Sequence, residues 1–201
     1  MRKSIIFTSV LFLFMLFSTI SSAQIVQFGL GGGLTQITTP KLYTGSVANA
    51  DYGFNGNYHF TILTKFNIPM SKVTPEAFLD YHILRGSGSY QDTAVSTSLS
   101  ILSVGAEGEY FLFQLPGFKP YVLADLSYNN FSQLQLDIGS NSYVQLSHSN
   151  IGGALGIGSE VTIMPKIDFD ISAKFSYYNL TGRQSGDDVV RAFTLNIILL
   201  F

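Results

Sequence analysis

Val190-Arg191-Ala192-Phe193-Thr194-Leu195-Asn196-Ile197-Ile198-Leu199-Leu200-Phe201 closes the sequence, and its reading decides the fold. Counting back from Phe201, every second residue is apolar: Leu199, Ile197, Leu195 and Phe193. Thr194 and Asn196 fall between them. Alternation with period two is a β-strand with one greasy face. A terminal strand of this kind frays in water. It is stable when it is sealed into a closed barrel and its greasy face meets lipid.

Working back along the chain, the same alternation recurs. Segments run from Ile25 to Ile37, Asn57 to Ile68, Glu76 to Arg85, Leu99 to Phe113, Pro120 to Asn130, Ser149 to Ile163, and Ile167 to Tyr177. With the terminal strand they make an even set of eight, as a single-chain transmembrane barrel requires. In each segment one face carries the bulky apolar residues, such as Ile167, Phe169, Ile171, Ala173 and Phe175. The other carries small or polar residues, such as Asp168, Asp170, Ser172 and Lys174. The predicted fold is all-β: an eight-stranded antiparallel up-and-down barrel with its apolar faces toward lipid. A soluble barrel would have the apolar faces inward, and the Gly, Ser, Asn and charged faces here are too small and polar to form an apolar cup.

The connections alternate in length. Short ones, each with a proline, are expected at Pro69 to Pro75, Gln114 to Lys119 and Met164-Pro165. Longer ones, rich in Gly, Ser, Asn, Thr and Asp, are expected at Thr38 to Gly56, Gly86 to Ser98, Phe131 to His148 and Asn179 to Asp188. Short periplasmic turns and long outer loops are the normal barrel asymmetry. Alternation at Gln133, Gln135 and Asp137 suggests that the third loop continues as a hairpin above the membrane.

At the other end, Met1-Arg2-Lys3, an apolar run from Ile5 to Ile20, and Ser21-Ser22-Ala23 read as a secretory signal peptide over 1–23. Residues 24–201 would then be the barrel domain. The run is interrupted by Thr8, Ser9 and Ser18 and is short for a spanning helix, which needs about 20 residues. There is no cysteine, hence no disulfide, thiolate or acylated cysteine. The formal net charge is −2, and losing Arg2 and Lys3 makes it more acidic. That is not the basic footprint of a nucleic-acid binder.

These features resemble the small bacterial outer-membrane β-barrels, the OmpA/OmpX-like or "porin family" proteins. In that family, an alternating last strand ending in an aromatic is the signal read by the barrel-insertion machinery. The resemblance therefore implies that role for Phe193, Leu195, Ile197, Leu199 and Phe201. It also implies a location in the outer membrane of a two-membrane bacterium, with outer-membrane lipid and lipopolysaccharide as surroundings. No periplasmic domain is expected after Phe201. Fold analogy does not supply a function.

An eight-stranded barrel is filled by its own side chains. The expected interior holds Asp80, Glu107, Glu109, Asp125, Glu160, Asp168 and Asp170 against Lys65 and Lys174, with His59 and His82 on neighbouring strands. Register places Glu107 and Glu109 beside Asp125, Glu160 beside Asp168 and Asp170, and Lys65 near Asp80. Two readings stand: a cation or proton-sharing carboxylate site, or a polar core of structural ion pairs. No cofactor or metal is assigned.

For function, the leading expectation is a non-catalytic integral outer-membrane protein with a structural, surface-binding or complex-accessory role. The alternatives are narrow passage of small solutes or cations, and lipid modification. Lipid A deacylases resemble the chain in size and use a His-x-Ser arrangement. Ser147-His148-Ser149 lacks that spacing. Asn130-Phe131-Ser132, Asn179-Leu180-Thr181 and Asp92-Thr93-Ala94 match glycosylation patterns too short to carry weight, and Leu30 to Leu34 is no phosphate loop because no helix follows it.

Overall fold

A computed structural model describes residues 26–49, 51–54, 57–145, 147–164, 167–183 and 188–201. The expected leader over 1–23 lies outside them, as do 184–187 of the fourth loop. Ten strands are described: β1 (Val26–Thr39), β2 (Tyr58–Phe66), β3 (Val73–Tyr90), β4 (Thr93–Phe111), β5 (Phe118–Phe131), β6 (Leu134–Ile138), β7 (Asn141–Gln145), β8 (His148–Met164), β9 (Ile167–Thr181) and β10 (Arg191–Leu200). β6 and β7 form a side hairpin. The other eight close on themselves, because β1 pairs with both β2 and β10 while β3 pairs with β4 and β5 with β8. At the seam, Phe28 and Phe201 exchange both backbone hydrogen bonds at 3.0 Å. Closure leaves the barrel wall without an edge, which is the condition for crossing lipid.

Strict alternation sorts the side chains. Leu126, Leu155 and Ile157, on β5 and β8, are 68%, 66% and 65% exposed, part of a continuous outward apolar band that suits lipid. Phe193, Leu195, Ile197 and Leu199 point outward in the same way, while Thr194, Asn196, Ile198 and Leu200 are buried. On β1 the inward positions include Gly29, Gly31 and Gly33. A Cβ at Gly33 would overlap the Leu195 carbonyl, and one at Gly29 would meet the Leu63 side chain at 2.7 Å. The glycines therefore let β1 lie close to its neighbours.

Two expectations about connections are corrected, and a third is met. Gly86 to Ser98 is not a loop: β3 and β4 stay paired from Val73↔Tyr110 to Tyr90↔Thr93. Gln91 and Asp92 turn the chain with φ of 48° and 62°, the paired positive values of a tight hairpin turn. At 18 and 19 residues these strands far exceed the roughly 10 that cross a membrane, so the hairpin projects beyond it. Pro75 lies within β3 and not in the turn before it. The third loop does contain a hairpin, β6–β7, and β6 pairs with the projecting part of β4 from Val95↔Ile138 to Ser98↔Gln135.

The first loop forms a short helix α1 (Lys41–Thr44) and a 3-10 turn over Val47–Asn49. Its Tyr43, Tyr52 and Phe54 rings pack together with centroids 5.5–5.9 Å apart. Burial pushes the Tyr52 hydroxyl above its ordinary range. Phe54 enters an apolar cluster with Ile37, Leu84, Ile101, Phe131 and Tyr178, among others, at the extracellular end of the lumen. Leu134, beginning β6, belongs to the same cluster, so loops one and three pack on each other.

Candidate functional site

One row of cross-strand neighbours organises the lumen. Reading around the wall, Gln27 on β1 faces Lys65 on β2, which faces Glu76 on β3, then Glu107 on β4, Asp125 on β5 and Ala154 on β8. Three acids stand side by side in that row. Like charges directly opposite repel, so the arrangement needs cations.

Lys65 is the first. It is wholly buried, and its Nζ lies 2.9 Å from Glu76, 2.7 Å from Glu109, 3.1 Å from Glu160 and 2.5 Å from Asp170. These acids come from β3, β4, β8 and β9, so one ammonium ties four strands to β2 across the lumen. Tyr121 donates its hydroxyl to the other Asp170 oxygen at 2.5 Å, and Lys119 reaches the second Glu160 oxygen at 2.9 Å. Lys174 is the second cation. It pairs closely with Glu107, lies 4.0 Å from Asp125, and sits over the Phe78 ring. Buried charges are tolerable only when paired and hydrogen-bonded.

Glu107 faces Asp125 and Glu160 faces Asp170, as register predicted. Lys65 is not near Asp80. Asp80 lies four residues further along β3 than Glu76, roughly 13 Å at strand rise, and it faces Thr61 and Ser103. Asp168 sits apart, accepting from Gln27 at 3.4 Å. Glu76 and Tyr121, both central here, were missing from the expected interior. Parity marks both, since Glu76 precedes the inward Phe78 by two and Tyr121 precedes Asp125 by four.

Higher in the lumen, His59 and His82 face each other across β2 and β3. Thr35 Oγ1 lies between them, 2.9 Å from His59 Nδ1 and 3.0 Å from His82 Nδ1. Asn196 gives its amide hydrogen to Ser172 at 2.9 Å, so its oxygen, 2.5 Å from His59 Nε2, must accept. Neutral His59 then carries its proton on Nε2 and takes the Thr35 hydroxyl proton at Nδ1. Thr35 in turn accepts from His82 Nδ1, leaving His82 Nε2 to accept from Tyr178, 3.4 Å away. With both rings neutral, this pattern gives every ring nitrogen a partner in a chain of five residues. The Thr35 hydroxyl is buried with both imidazoles, so the grouping is a structural cross-brace. His148, the histidine of the Ser-His-Ser stretch, begins β8 and stacks on Phe131 with centroids 4.6 Å apart.

Above the histidines lies the apolar plug. Within the polar part, two cavities measure about 20 and 10 Å³. Each has room for about one water molecule. The carboxyl groups of Glu76, Glu107 and Glu109, and those of Glu109, Glu160 and Asp170, are close enough to share a metal ion. In the second group, however, Lys65 already bonds all three.

The family model for the outer membrane protein β-barrel domain matches residues 9–201. Among solved structures, the chain is similar to Neisserial surface protein A (NspA), with 17% identity, a TM-score of 0.59, and coverage of 90% of this chain and 98% of that one. It is similar to a major outer membrane protein from Thermus thermophilus, with 12% identity, a TM-score of 0.52, and coverage of 88% and 99%. It is also similar to Ail, the attachment invasion locus protein of Yersinia pestis, with 12% identity, a TM-score of 0.49, and coverage of 88% and 97%. At these identities the likeness is one of fold. No curated protein matches the chain in sequence.

Proposed function

The chain belongs to the outer membrane protein β-barrel domain family and resides in the outer membrane; on that premise we propose that it is a non-catalytic, non-conducting barrel that acts through its extracellular surface. The observation that carries this reading is the filled lumen. Side chains bridge it at Lys65, at Lys174 and at the Thr35 brace, and an apolar plug closes its outer end. The two cavities in the polar part of the lumen are of single-water size. A path for solutes would need these ion pairs to separate and the plug to leave. Catalysis on lipid would need a nucleophile facing lipid, whereas Thr35, the hydroxyl bonded to two histidines, faces inward.

The extracellular end offers the contrast. The β3–β4 hairpin and the β6–β7 hairpin form one projecting sheet, with Tyr143 and Val144 exposed on it. Hydrogen bonds from Ser142 and Gln135 hold the Asp137 carboxyl below its ordinary range, consistent with an ordered hairpin. This sheet is the part free to contact an envelope partner. The leader over 1–23 would direct export, and the β10 face of Phe193, Leu195, Ile197, Leu199 and Phe201 would be read by the insertion machinery. Lipid and lipopolysaccharide would cover the outward face.

The test is native-gel migration of the protein extracted from its own outer membrane in mild detergent, with mass spectrometry of the band. Defined co-migrating proteins that disappear when 134–145 is replaced by a short Gly-Ser turn would support a surface-docking role. A single-barrel band unchanged by that replacement, in a membrane whose lipid A is altered by the protein, would overturn it in favour of lipid chemistry.

A further inference from the structure

An ammonium group has three N–H bonds. At Lys65 all three are used, by Glu109 Oε1, Glu160 Oε1 and Asp170 Oδ2. Glu76 Oε1 lies 2.9 Å from the same nitrogen yet accepts no hydrogen bond. Glu109 Oε2 is also buried with no hydrogen bond. The residues are 4% and 1% exposed, so water does not solvate these oxygens from outside. One oxygen each of Glu76, Glu107 and Glu109 lie within 4.8 Å of one another, and a hydrogen bond between two carboxyls is a contact that two carboxylates cannot make and an acid–carboxylate pair can. Unsatisfied buried acceptors are costly, and charged ones more so.

We propose that Glu76 and Glu109 share one proton, so that the lumen of the folded barrel holds a carboxylic acid–carboxylate pair at neutral pH. One proton answers both bare oxygens, and it removes one of the negative charges that Lys65 would otherwise face. The groups around the pair are Lys65 on β2, Glu107 on β4, Tyr121 on β5, Glu160 on β8, and Asp170 and Lys174 on β9. Thr61 Oγ1, buried and without a partner, lines the same small cavity and is a further polar contact for the pair. A metal ion is the poorer occupant, because the Lys174 ammonium lines that cavity too. The proton belongs to the pair and not to either residue. It enters from solvent on folding, since both acids ionise near pH 4.3 when unfolded. Folding therefore takes up one proton. Above about pH 4.3 the folding constant falls about tenfold per pH unit from this source, for as long as the pair keeps its proton.

Infrared spectroscopy of the folded barrel in phosphatidylcholine vesicles in D₂O at neutral pH reads the pair directly. The expected result is a protonated-carboxyl C=O band that disappears in Glu76→Gln and again in Glu109→Gln. In each variant the glutamine amide replaces the acid as donor to the remaining carboxylate, so folding is retained. Urea unfolding from pH 6 to 8 gives a second readout. The wild type is expected to lose about tenfold more in folding constant per pH unit than either variant. A band that survives both substitutions, equal pH slopes, or a midpoint raised by Ca²⁺ with no acid band present would overturn the proposal.

Discussion

Replacing Lys65 with methionine keeps the length and most of the volume of the side chain but deletes the charge that four buried carboxyls face. Three charge-assisted hydrogen bonds go with it, those to Glu109, Glu160 and Asp170. Each such bond contributes about 1.5–3 kcal/mol, but the terms are not additive, because the acids can share protons once the cation is gone. Removing one partner of a buried ion pair costs about 3–5 kcal/mol, and that is the expected loss at neutral pH. The penalty should shrink toward pH 4, where carboxyls take up protons in both folded and unfolded chains. The assay is equilibrium urea unfolding in phospholipid vesicles, followed by tyrosine emission, since the chain has 11 tyrosines and no tryptophan. Lys72, at the periplasmic rim, is the control: Lys72→Met should change stability by less than about 0.5 kcal/mol. Combining Lys65→Met with Glu109→Gln, Glu160→Gln and Asp170→Asn should recover much of the loss, because neutral groups no longer need the ammonium. A Lys65→Met barrel as stable as the Lys72→Met one would refute the reasoning.

Tyr121→Phe removes the donor to Asp170 and should cost about 1.5–3 kcal/mol in the same unfolding assay. Thr35→Val leaves both imidazoles without their shared partner, for a loss of about 1–3 kcal/mol, and it should shift the ¹⁵N resonances of His59 and His82 together. Gly33→Ala should destabilise by about 1–3 kcal/mol, because its methyl meets the Leu195 backbone. The chain has no native cysteine, so single cysteines report on one position each. Spin labels along β9 should alternate, with labels at Phe169, Ile171, Ala173 and Phe175 accessible to oxygen in lipid and those at Asp170 and Ser172 accessible to neither lipid nor aqueous quenchers. A lack of alternation would contradict the outward assignment.

The barrel is legible in the sequence because lipid imposes a period-two code on each wall strand, and Phe193 to Phe201 and Ile167 to Phe175 carry it without interruption. The row Lys65–Glu76–Glu107–Asp125 is half legible. Parity says which residues face inward, and the short turns fix neighbours such as Glu107 and Asp125. The partner of Lys65 depends on the stagger between β2 and β3 and on side-chain reach across the lumen, to β8 and β9, which no local pattern records. The projecting β3–β4 hairpin was obscured for a different reason. Its residues, Gly86 to Ser98, are mostly the Ser, Gly and Thr of a solvated loop, and a sheet above the membrane needs no apolar face on the lipid side. The plug was equally hidden, because Phe54, Phe131 and Val190 come together only after the loops fold over the rim.

Planar-bilayer recording of the refolded wild-type protein tests the central claim most directly, namely that the lumen is sealed by its own ion pairs and apolar plug. The account predicts a membrane that stays at baseline conductance at neutral pH under sustained voltage. Stable, reproducible cation-selective steps would contradict it.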